Sequence, residues 1–540
     1  KHYFFTQFGV SSTTLEIGDD TDLAFVKAYG RIAAEAFMSA YFDQQSAVIN
    51  ADIVFRGGLV VDGTGTAPFF GDVAVIDGHI TMLTRDTEVA ASKEIDITGK
   101  VIAPGFIDIH THARVDLVSR EHALMNNYLT QGVTTVVIGN DGDGATRIQG
   151  RFDKIFKHGA GTNVAQFAGH SALRRRVMDD TGRPATQTEI GEMKAILAEA
   201  LGEGAMGLST GLFYADGSYA TTEEVIELAK VAAAEGAIYE SHIRAESSRG
   251  VGVHAAVDEV IQIARDADIP AHIAHIKVLG KGVWGQAGAI VAKVREARAE
   301  GLEITADQYP WVASSTQLKS AVVSQQFQVG GIGAIRARLS EPALRTQILA
   351  DIAVNIERRG GASSLLLVEN EDSRWSGRRL DEIADELGLT PETAAAQLIT
   401  QGLARVVSFN MTQSDIATFM EESWVATSSD GTEGHPRKFA SFPEKYGTFV
   451  KDRNVLSLSE FVRSSSGLPA KILGLSDRGE LVTGQVADIV VFDPKVYAAK
   501  ATFSDWNRLS VGVEFLLVNG EFAIQQGTLT NARAGRPIKR

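Results

Sequence analysis

The sequence predicts an α/β fold: a (β/α)8 barrel, the TIM-barrel architecture, with a small β-sandwich domain formed by both terminal regions. Two observations lead to this prediction. Eight apolar, strand-like runs alternate with helix-like segments in the middle of the chain, and eight strand–helix units are the number that closes such a barrel. Short alternating segments punctuated by glycine turns occupy both ends of the chain instead.

The two β-rich regions lie over residues 51–100 and 487–518. In both, apolar and polar residues alternate along short runs, which is the pattern of a half-buried strand. Turn pairs such as Asp77-Gly78 separate the strands of the first region. We therefore expect one small β-domain that contains strands from both ends, with the barrel inserted between them.

The eight predicted barrel strands end near His112, Asn140, His170, Ser209, His242, His275, Tyr309 and Asp430. Helix-like segments, such as 222–235 and 288–300, separate most of these strands. The spacing is about 30 residues until the last interval, which is about 120 residues long. That gap predicts an insertion around 310–425, which contains helices over 341–358 and 379–403.

These assignments divide the chain into an N-terminal extension over 1–50 that is partly helical, the first part of the β-domain over 51–105, the barrel over 106–465, and the second part of the β-domain over 466–540. Within the extension, residues 31–41 form an apolar run that lacks the basic flank and cleavage site of a signal peptide. We interpret this run as an amphipathic helix.

The composition is that of an ordinary globular protein. The chain has 540 residues, of which 44% are hydrophobic and 22% charged, and its formal net charge is −15. This acidity argues against a nucleic acid or an anionic membrane as partner, and the chain has no run of 18 apolar residues that could cross a membrane. The absence of cysteine excludes disulfides, zinc–thiolate sites and thiol nucleophiles. We expect a cytoplasmic protein by default; the chain begins at Lys1 rather than Met, so a periplasmic or secreted location stays open.

A pair of histidines, His110 and His112, closes the apolar run over residues 101–109. Side chains two positions apart in a strand point to the same side, so Asp108, His110 and His112 would line one side at the carboxyl end of the first barrel strand. Two imidazoles at such a place form half of a site for a divalent metal such as zinc. An isolated pair of this kind is more often structural, so the other strand ends decide between the two interpretations.

Polar side chains also close other predicted strands, and active sites of this fold lie at the carboxyl ends of its strands. They are Asp141, His170, His242, His275 and Asp430. A bound metal polarises a carbonyl and lowers the pKa of its water, and a neighbouring carboxylate can accept the proton of that water and pass it to a leaving amine. Asp430 is predicted to be this base and also a ligand; the alternative is a simple Asp-Gly turn residue.

Several short segments stand in the order of one known enzyme family. They are Pro104-Gly105-Phe106-Ile107-Asp108 before the histidine pair, Gly132-Val133-Thr134-Thr135, Gly169-His170-Ser171, Ser241-His242-Ile243-Arg244, Ala274-His275-Ile276-Lys277, Asp307-Gln308-Tyr309-Pro310, Ser429-Asp430-Gly431 and His435-Pro436-Arg437. As a set, they resemble the amidohydrolase superfamily and, within it, the N-acyl-D-amino-acid deacylases (D-aminoacylases). The resemblance covers about residues 51–540.

The resemblance implies a role for each matching position. The implied metal ligands are His110, His112, His242, His275 and Asp430, and Asp430 is also the implied general acid and base. His170 would donate a hydrogen bond that polarises the substrate carbonyl. The implied substrate-binding residues, which hold the α-carboxylate or the scissile carbonyl, are Lys277, Tyr309, Arg437 and Arg244. Without the resemblance, a surface lysine, a core tyrosine and surface ion pairs are the simpler interpretations.

The chain departs from the family at the end of the second strand. The family motif Gly-Asn-Cys-Gly places a cysteine ligand there, whereas this chain has Gly139-Asn140-Asp141-Gly142. Asp141 can still bind a metal or bridge two ions. Zinc is favoured, as one or two ions, and manganese or iron stays open because a carboxylate is a harder ligand than a thiolate. Glu240 shares a face with His242 and is either a reserve ligand or a partner behind the ligands.

The predicted function is metal-dependent hydrolysis of the amide of N-acyl-D-amino acids, which gives a carboxylate and a free D-amino acid. Two alternatives stay open. One is hydrolysis of another small amide or a cyclic amide, such as a xenobiotic, a toxin or a hydantoin, because a fold does not determine the substrate. The other is a non-catalytic barrel scaffold. The partner is expected to be a small-molecule amide, and a homo-oligomer stays open.

Overall fold

The structure is a computed structural model that describes residues 48–83 and 87–540. Its strands are β1 (Ile49–Val60), β2 (Phe69–Ile76), β3 (His79–Leu83), β4 (Val89–Asp96), β5 (Val101–Pro104), β6 (Phe106–Asp108), β7 (Val133–Ile138), β8 (Asn163–Gln166), β9 (Ala168–Gly169), β10 (Gly207–Gly211), β11 (Ile238–His242), β12 (Ala271–Ile273), β13 (Ile304–Gln308), β14 (Ala313–Gln317), β15 (Leu365–Asn370), β16 (Ala404–Phe409), β17 (Val425–Thr427), β18 (Ile489–Phe492), β19 (Val513–Val518), β20 (Glu521–Gln525) and β21 (Thr528–Leu529). The expected helix over 31–41 lies outside the described residues.

The helices lie between the barrel strands, in the insertion and after β17. The α-helices are Arg114–Val118, Asn126–Leu129, Ile148–Phe156, His170–Val177, Gln187–Gly202, Ala215–Ser218, Thr222–Ala234, Gly252–Ala267, Ala287–Ala299, Leu318–Val322, Gln325–Gln328, Gly331–Ser340, Pro342–Arg358, Leu380–Leu387, Pro391–Gln401, Gln413–Met420, Arg437–Lys445, Leu458–Ser465 and Gly467–Ile472. None of the helices in the described ranges is long and apolar enough to cross a membrane.

Strands from both ends of the chain form one sheet. Within the described residues this sheet has nine strands, in the order β21-β20-β19-β18-β5-β1-β2-β3, with β4 paired to β1. The junction between the two ends is the antiparallel pair β18–β5. A single β-domain therefore contains both terminal regions. On this pairing we propose the boundaries 51–105, 106–465 and 466–540 for its first part, the barrel and its second part.

The remaining parallel strands form the barrel. Strands β17-β13-β12-β11-β10-β9 make one run and β6-β7-β8 another, and a bridge between Thr111 and Gly431 joins the first strand to the last. At the same seam the amide of Asp430 donates to the carbonyl of His110 at 2.9 Å. All six residues of β7 are buried, as expected for a parallel strand covered on both faces.

Amphipathic helices cover the outside of the barrel. Helix Gly252–Ala267 buries Val253, Val257, Val260 and Ala264, and this three- and four-residue spacing marks one helical face. Each fully buried valine contributes roughly 1.5–3 kcal/mol of apolar transfer free energy. Such packing keeps the strand ends, and hence the polar side chains that close them, in fixed positions.

The insertion differs in part from its prediction. The expected helix over 341–358 is present as Pro342–Arg358, but the expected helix over 379–403 is two helices, because Gly388 adopts a left-handed conformation after the first and Pro391 begins the second. A three-stranded sheet, β14-β16-β15, was not expected. The insertion has its own apolar core, which includes Leu318, Ile348 and Trp375.

Candidate metal centre

A cavity of about 610 Å³ opens at the carboxyl ends of the barrel strands. Its floor consists of polar residues from the barrel, and the insertion contributes one wall through residues of the β14 region and beyond. The barrel-derived lining residues include His112, Asp141, His242, His275 and Asp430. The residues that the sequence analysis places at different strand ends therefore come together in one cavity.

A first group of ligand atoms forms around His110 and His112. The Nε2 atom of His110 lies 3.4 Å from Oδ1 of Asp141, and Nε2 of His112 lies 3.5 Å from Oδ2 of the same carboxylate. On the other side, Nε2 of His112 lies 3.0 Å from Oδ1 of Asp430. His110 is fully buried, whereas the side chain of His112 is 37% exposed toward the cavity.

A second group shares Asp141 with the first. Its Oδ1 atom lies 3.4 Å from Nδ1 of His242 and 3.3 Å from Nε2 of His275. Asp141 thus stands between two sets of imidazoles, at the position where the family motif has a cysteine. A carboxylate in this position can offer one oxygen to each set and bridge two ions.

The residues fit a divalent metal. Atoms bound to tetrahedral zinc at about 2.0–2.1 Å lie roughly 3.3 Å apart, which is close to the 3.3–3.5 Å separations around Asp141. Both ring nitrogens of His110 and of His242, together with Oδ1 of Asp141, are buried and have no hydrogen-bond partner among the described residues. Buried polar atoms of this kind are costly unless something binds them.

The ionisation of the two carboxylates, Asp141 and Asp430, also suits metal binding. Burial alone would raise the pKa of Asp141, but the imidazoles of His110, His242 and His275 hold it well below its ordinary value. Burial would also raise the pKa of Asp430, and Arg437 and His275 hold that pKa far below its usual range. Both carboxylates are therefore ionised, which is the state that a metal ligand requires. Although burial opposes the change, the same carboxylates raise the pKa of His110 and of His275, so these imidazoles would release a proton when a metal binds.

Three of the candidate ligands have strained backbone. Asp141, His275 and Asp430 have φ values of 58°, 34° and 44°, in the left-handed region that residues with a side chain rarely adopt. Next to Asp141, a Cβ at Gly142 would lie 2.7 Å from the amide nitrogen of Gly211, so only glycine fits this turn. Strain of this kind is retained at functional sites, where it fixes side chains in positions that regular strands do not offer.

The first barrel strand differs from its prediction at one residue. Strand β6 ends at Asp108, and although His110 and His112 face the same carboxylate as expected, Asp108 does not share their side. Oδ1 of Asp108 instead accepts hydrogen bonds from the amides of Ser429, at 2.9 Å, and His110, at 3.4 Å. The carboxylate of Asp108 therefore supports the seam of the barrel and does not join the ligand groups.

Carboxylates lie behind the imidazoles. Oε1 of Glu240 is 3.4 Å from Nδ1 of His110, and Oε1 of Glu246 is 3.3 Å from Nδ1 of His275. Carboxylates in this position fix the ring orientation of a ligand. Glu240 is therefore placed as a partner behind the candidate ligand His110, which is the second of its two predicted roles. Glu246 is a site residue that no sequence motif predicts, although it lies only four residues after His242.

The candidate substrate residues Lys277 and Tyr309 line the cavity. Nζ of Lys277 donates to Oε1 of Glu246 at 2.5 Å. The hydroxyl of Tyr309 is buried without a partner among the described residues, and the guanidinium of Arg437 lies 4.6 Å from its ring centre. Arg437 is fully buried, and its Nη1 pairs with Oδ2 of Asp430 at 2.8 Å.

Two predicted site residues lie elsewhere. His170 begins helix His170–Val177, and its Nε2 lies 2.9 Å from Glu224 in a buried network with Arg174. Arg244 pairs with Glu259 at 2.7 Å and donates to backbone carbonyls. Neither residue is among those that line the cavity, because local acidic partners hold both side chains. We therefore propose structural roles for His170 and Arg244 in place of the predicted roles in catalysis and substrate binding.

Comparison with known proteins extends these observations. A D-aminoacylase of Alcaligenes xylosoxydans xylosoxydans is 32% identical to this chain over 91% of this chain and 98% of its own length. A solved D-aminoacylase structure, described with a binuclear metal centre, is 30% identical with a TM-score of 0.78, and it covers 91% of this chain and 100% of that one. The N-acyl-D-glutamate deacylase of Bordetella bronchiseptica was solved with zinc and a phosphonate mimic of the tetrahedral intermediate. It is also 30% identical with a TM-score of 0.78, and the match covers 91% of this chain and 100% of that one.

The match to a family model agrees with these relatives. The model described as "Amidohydrolase family" matches residues 93–524, a span that contains the whole barrel, the insertion and all the candidate ligands. The two relatives with solved structures each cover 91% of the chain. The chain belongs to the amidohydrolase family.

Proposed function

We propose that the protein hydrolyses the amide bond of N-acyl-D-amino acids and releases a carboxylate and a free D-amino acid. The observation that carries this proposal is Asp141, whose carboxylate lies 3.3–3.5 Å from four imidazoles at the base of the cavity. The D configuration rests on the similarity to D-aminoacylase over 91% of the chain.

The proposed ligands are His110, His112, Asp141, His242, His275 and Asp430. They would hold one or two divalent ions, and zinc is the first choice because imidazole and carboxylate donors at tetrahedral spacing suit it. Manganese or iron stays an alternative, because Asp141 replaces a softer thiolate. When bound, the metal supplies Lewis acidity, which activates a water and polarises the amide carbonyl.

Asp430 is the proposed general base and acid. Its Oδ2 is held by Arg437 at 2.8 Å, and its Oδ1 faces His112 at 3.0 Å, so one oxygen is anchored while the other faces the ligand groups. In this position Asp430 accepts the proton of the attacking water and delivers it to the nitrogen of the leaving amine. Arg437 keeps the carboxylate ionised and in a fixed orientation.

The α-carboxylate of the substrate would bind at Lys277 and Tyr309, with Arg437 behind the tyrosine ring. Nζ of Lys277 lies 5.6 Å from the ring centre of Tyr309, so the two groups face the same part of the cavity. A lysine ammonium and a tyrosine hydroxyl can both donate to a carboxylate. Binding there fixes the amide over the ligand groups, which is the positioning that amide hydrolysis requires.

The test measures metal content and hydrolysis together. Wild type is compared with Asp141→Ala, Asp430→Asn and the control Asp143→Asn, because Asp143 also lines the cavity but pairs with Arg175 on its rim. We expect one or two metal equivalents in wild type, fewer in Asp141→Ala, and hydrolysis of N-acetyl-D-methionine but not its L-enantiomer. Asp430→Asn should lose at least about 100-fold in kcat while the control keeps its activity. Wild type that binds no metal after supplementation contradicts the proposal and favours the scaffold.

Hydrolysis of a hydantoin with N-acetyl-D-amino acids inert would favour the cyclic-amide alternative. The cytoplasmic location and the homo-oligomer also stay predictions. Cell fractionation tests the first, and size-exclusion chromatography with light scattering tests the second.

A further inference from the structure

The insertion places two cations, Lys319 and Arg359, in the wall of the cavity. Lys319 is half-buried on helix Leu318–Val322. Arg359 is only 3% exposed, and it donates to the carbonyl of Ala321 at 2.9 Å and to Oγ of Ser408 at 3.0 Å. These bonds attach the guanidinium to the same short helix that carries Lys319, so both cations belong to one wall.

Other cations of the cavity have acidic partners. The pairs are Arg114 with Asp143, Arg175 with Asp143 and Asp216, Lys277 with Glu246, Arg405 with Glu369, and Lys438 with Asp116 and Glu433. Lys319 and Arg359 differ, because in the described part of the chain neither has a carboxylate within 4.0 Å. The wall therefore carries positive charge that the protein itself does not neutralise.

Two further arginines stand behind Arg359. Arg249 and Arg358 also lack a carboxylate within 4.0 Å among the described residues, and Nη1 of Arg249 is buried with no hydrogen-bond partner there. Burial, together with the neighbouring charge of Arg249, lowers the pKa of Arg359 to about 10. Burial likewise lowers the pKa of Arg358 to about 9. Asp351 offsets part of the charge of Arg249 and Arg358 without pairing with either. A buried guanidinium without a paired acid stays unfavourable unless an anion compensates it.

The position of Arg359 connects this charge to the proposed site. Its guanidinium interacts electrostatically with Glu246, Tyr214 and Tyr309, and all three residues line the cavity. Tyr309 is also the residue assigned to the α-carboxylate. An anion at Arg359 and Lys319 would therefore be a second anionic group of the molecule whose α-carboxylate binds near Tyr309.

We propose that Lys319 and Arg359 bind a second carboxylate of the substrate, so that the preferred substrates are dianionic N-acyl-D-amino acids. The proposal rests on the proposed function and specifies its substrate class. The second carboxylate belongs either to the side chain, as in D-glutamate or D-aspartate, or to the acyl group, as in a succinyl amide. Sequence identity does not decide this question, since a D-aminoacylase and an N-acyl-D-glutamate deacylase of known structure are both 30% identical to the chain.

The test compares isosteric substrates that differ by one charge. N-acetyl-D-glutamate against N-acetyl-D-glutamine probes the side chain, and N-succinyl-D-alanine against N-succinamoyl-D-alanine probes the acyl group. We expect kcat/KM to favour the charged member of one pair by about 10- to 100-fold, since a charge-assisted hydrogen bond in a partly buried site has that value. The pair that shows the preference identifies the source of the carboxylate.

Variants then assign the preference to the wall. Lys319→Met and Arg359→Gln should each lower the charged-to-neutral ratio about tenfold or more, and Arg359→Lys, which keeps the charge, should retain part of it. Lys281→Met and Arg345→Gln are matched controls, because both residues are exposed and outside the cavity lining. The controls should leave the ratio unchanged. Since Arg359 is buried, Lys319→Met keeps the proposal falsifiable if Arg359→Gln fails to fold.

Calorimetric binding of the products D-glutamate and D-glutamine gives a readout that does not require turnover. Tighter binding of D-glutamate by about tenfold, lost in Lys319→Met, supports a side-chain source. Equal kcat/KM within both substrate pairs overturns the inference while the proposed function stands. If no N-acyl-D-amino acid is hydrolysed, the proposed function fails, and equal binding of succinate and succinamate, and of D-glutamate and D-glutamine, overturns this inference as well.

Discussion

Lys445 is fully buried and has no carboxylate within 4.0 Å among the described residues, and its replacement should stabilise the protein. Its Nζ donates to Oγ1 of Thr427 at 2.8 Å and to Oγ of Ser464 at 3.0 Å, and its exposed fraction is 0%. Burial, with the nearby charge of Arg463, lowers the pKa of Lys445 from 10.5 to about 7. The folded protein therefore releases a proton that the unfolded chain keeps.

The sign and size of the contribution of Lys445 to the free energy of unfolding follow from this difference in proton binding between the folded and unfolded states. Between pH 7 and pH 10.5 the unfolded state binds more protons at Lys445, so this residue makes the free energy of unfolding rise with pH. The full shift corresponds to about 5 kcal/mol at 1.36 kcal/mol per pKa unit. At pH 7 almost all of this cost is present, and it disappears near pH 10.5.

The variant Lys445→Met removes the cost together with two hydrogen bonds, each of which contributes about 0.5–1.5 kcal/mol. We therefore expect Lys445→Met to be more stable than wild type by about 1–3 kcal/mol at pH 7, with the difference gone or reversed at pH 10. Urea unfolding at several pH values measures this difference in stability. The control is Lys471→Met, because Lys471 is an exposed lysine of helix Gly467–Ile472. A difference between Lys445→Met and wild type that is independent of pH refutes the reasoning.

Three other changes have defined outcomes. Glu246→Gln should weaken metal binding about 10- to 100-fold, because the carboxylate orients His275; metal titration and kcat measure this, with Glu369→Gln as a cavity-wall control. His170→Asn should cost about 1–3 kcal/mol of unfolding free energy through its bond to Glu224 and leave KM unchanged, and a loss confined to kcat would restore its catalytic role. Asp141→Cys should shift metal preference toward zinc over manganese in a competition assay, and equal preference in variant and wild type counts against Asp141 as a ligand.

The sequence could predict the barrel and most of the ligand set because both depend on local patterns. Apolar runs fix the strands, and His242, His275 and Asp430 follow directly from the strand ends. His170 shows the limit of this reasoning: it also closes a strand, but it begins a helix and its ring turns to Glu224. Strand alternation likewise failed at Asp108, because β6 ends there.

The residues of the insertion could not be predicted to reach the site. Lys319 and Arg359 lie outside every motif of the sequence, and the packing of helix Leu318–Val322 against Arg359 brings them into one wall of the cavity. Nothing in the residues around an arginine indicates whether an acid will pair with it after folding. Long-range packing determines whether such an arginine is paired, so only the three-dimensional structure shows which arginines lack an acid.

The bridge between Thr111 and Gly431, which joins the first barrel strand to the last, determines when a metal can be loaded. The proposed ligands His110 and Asp430 meet across this seam, although they are separated by more than half of the polypeptide. During synthesis, a nascent chain that ends before Asp430 holds an incomplete ligand set, and closing so long a loop is a slow step of folding. Completion of the proposed metal site would therefore coincide with closure of the barrel, late in the folding of the chain.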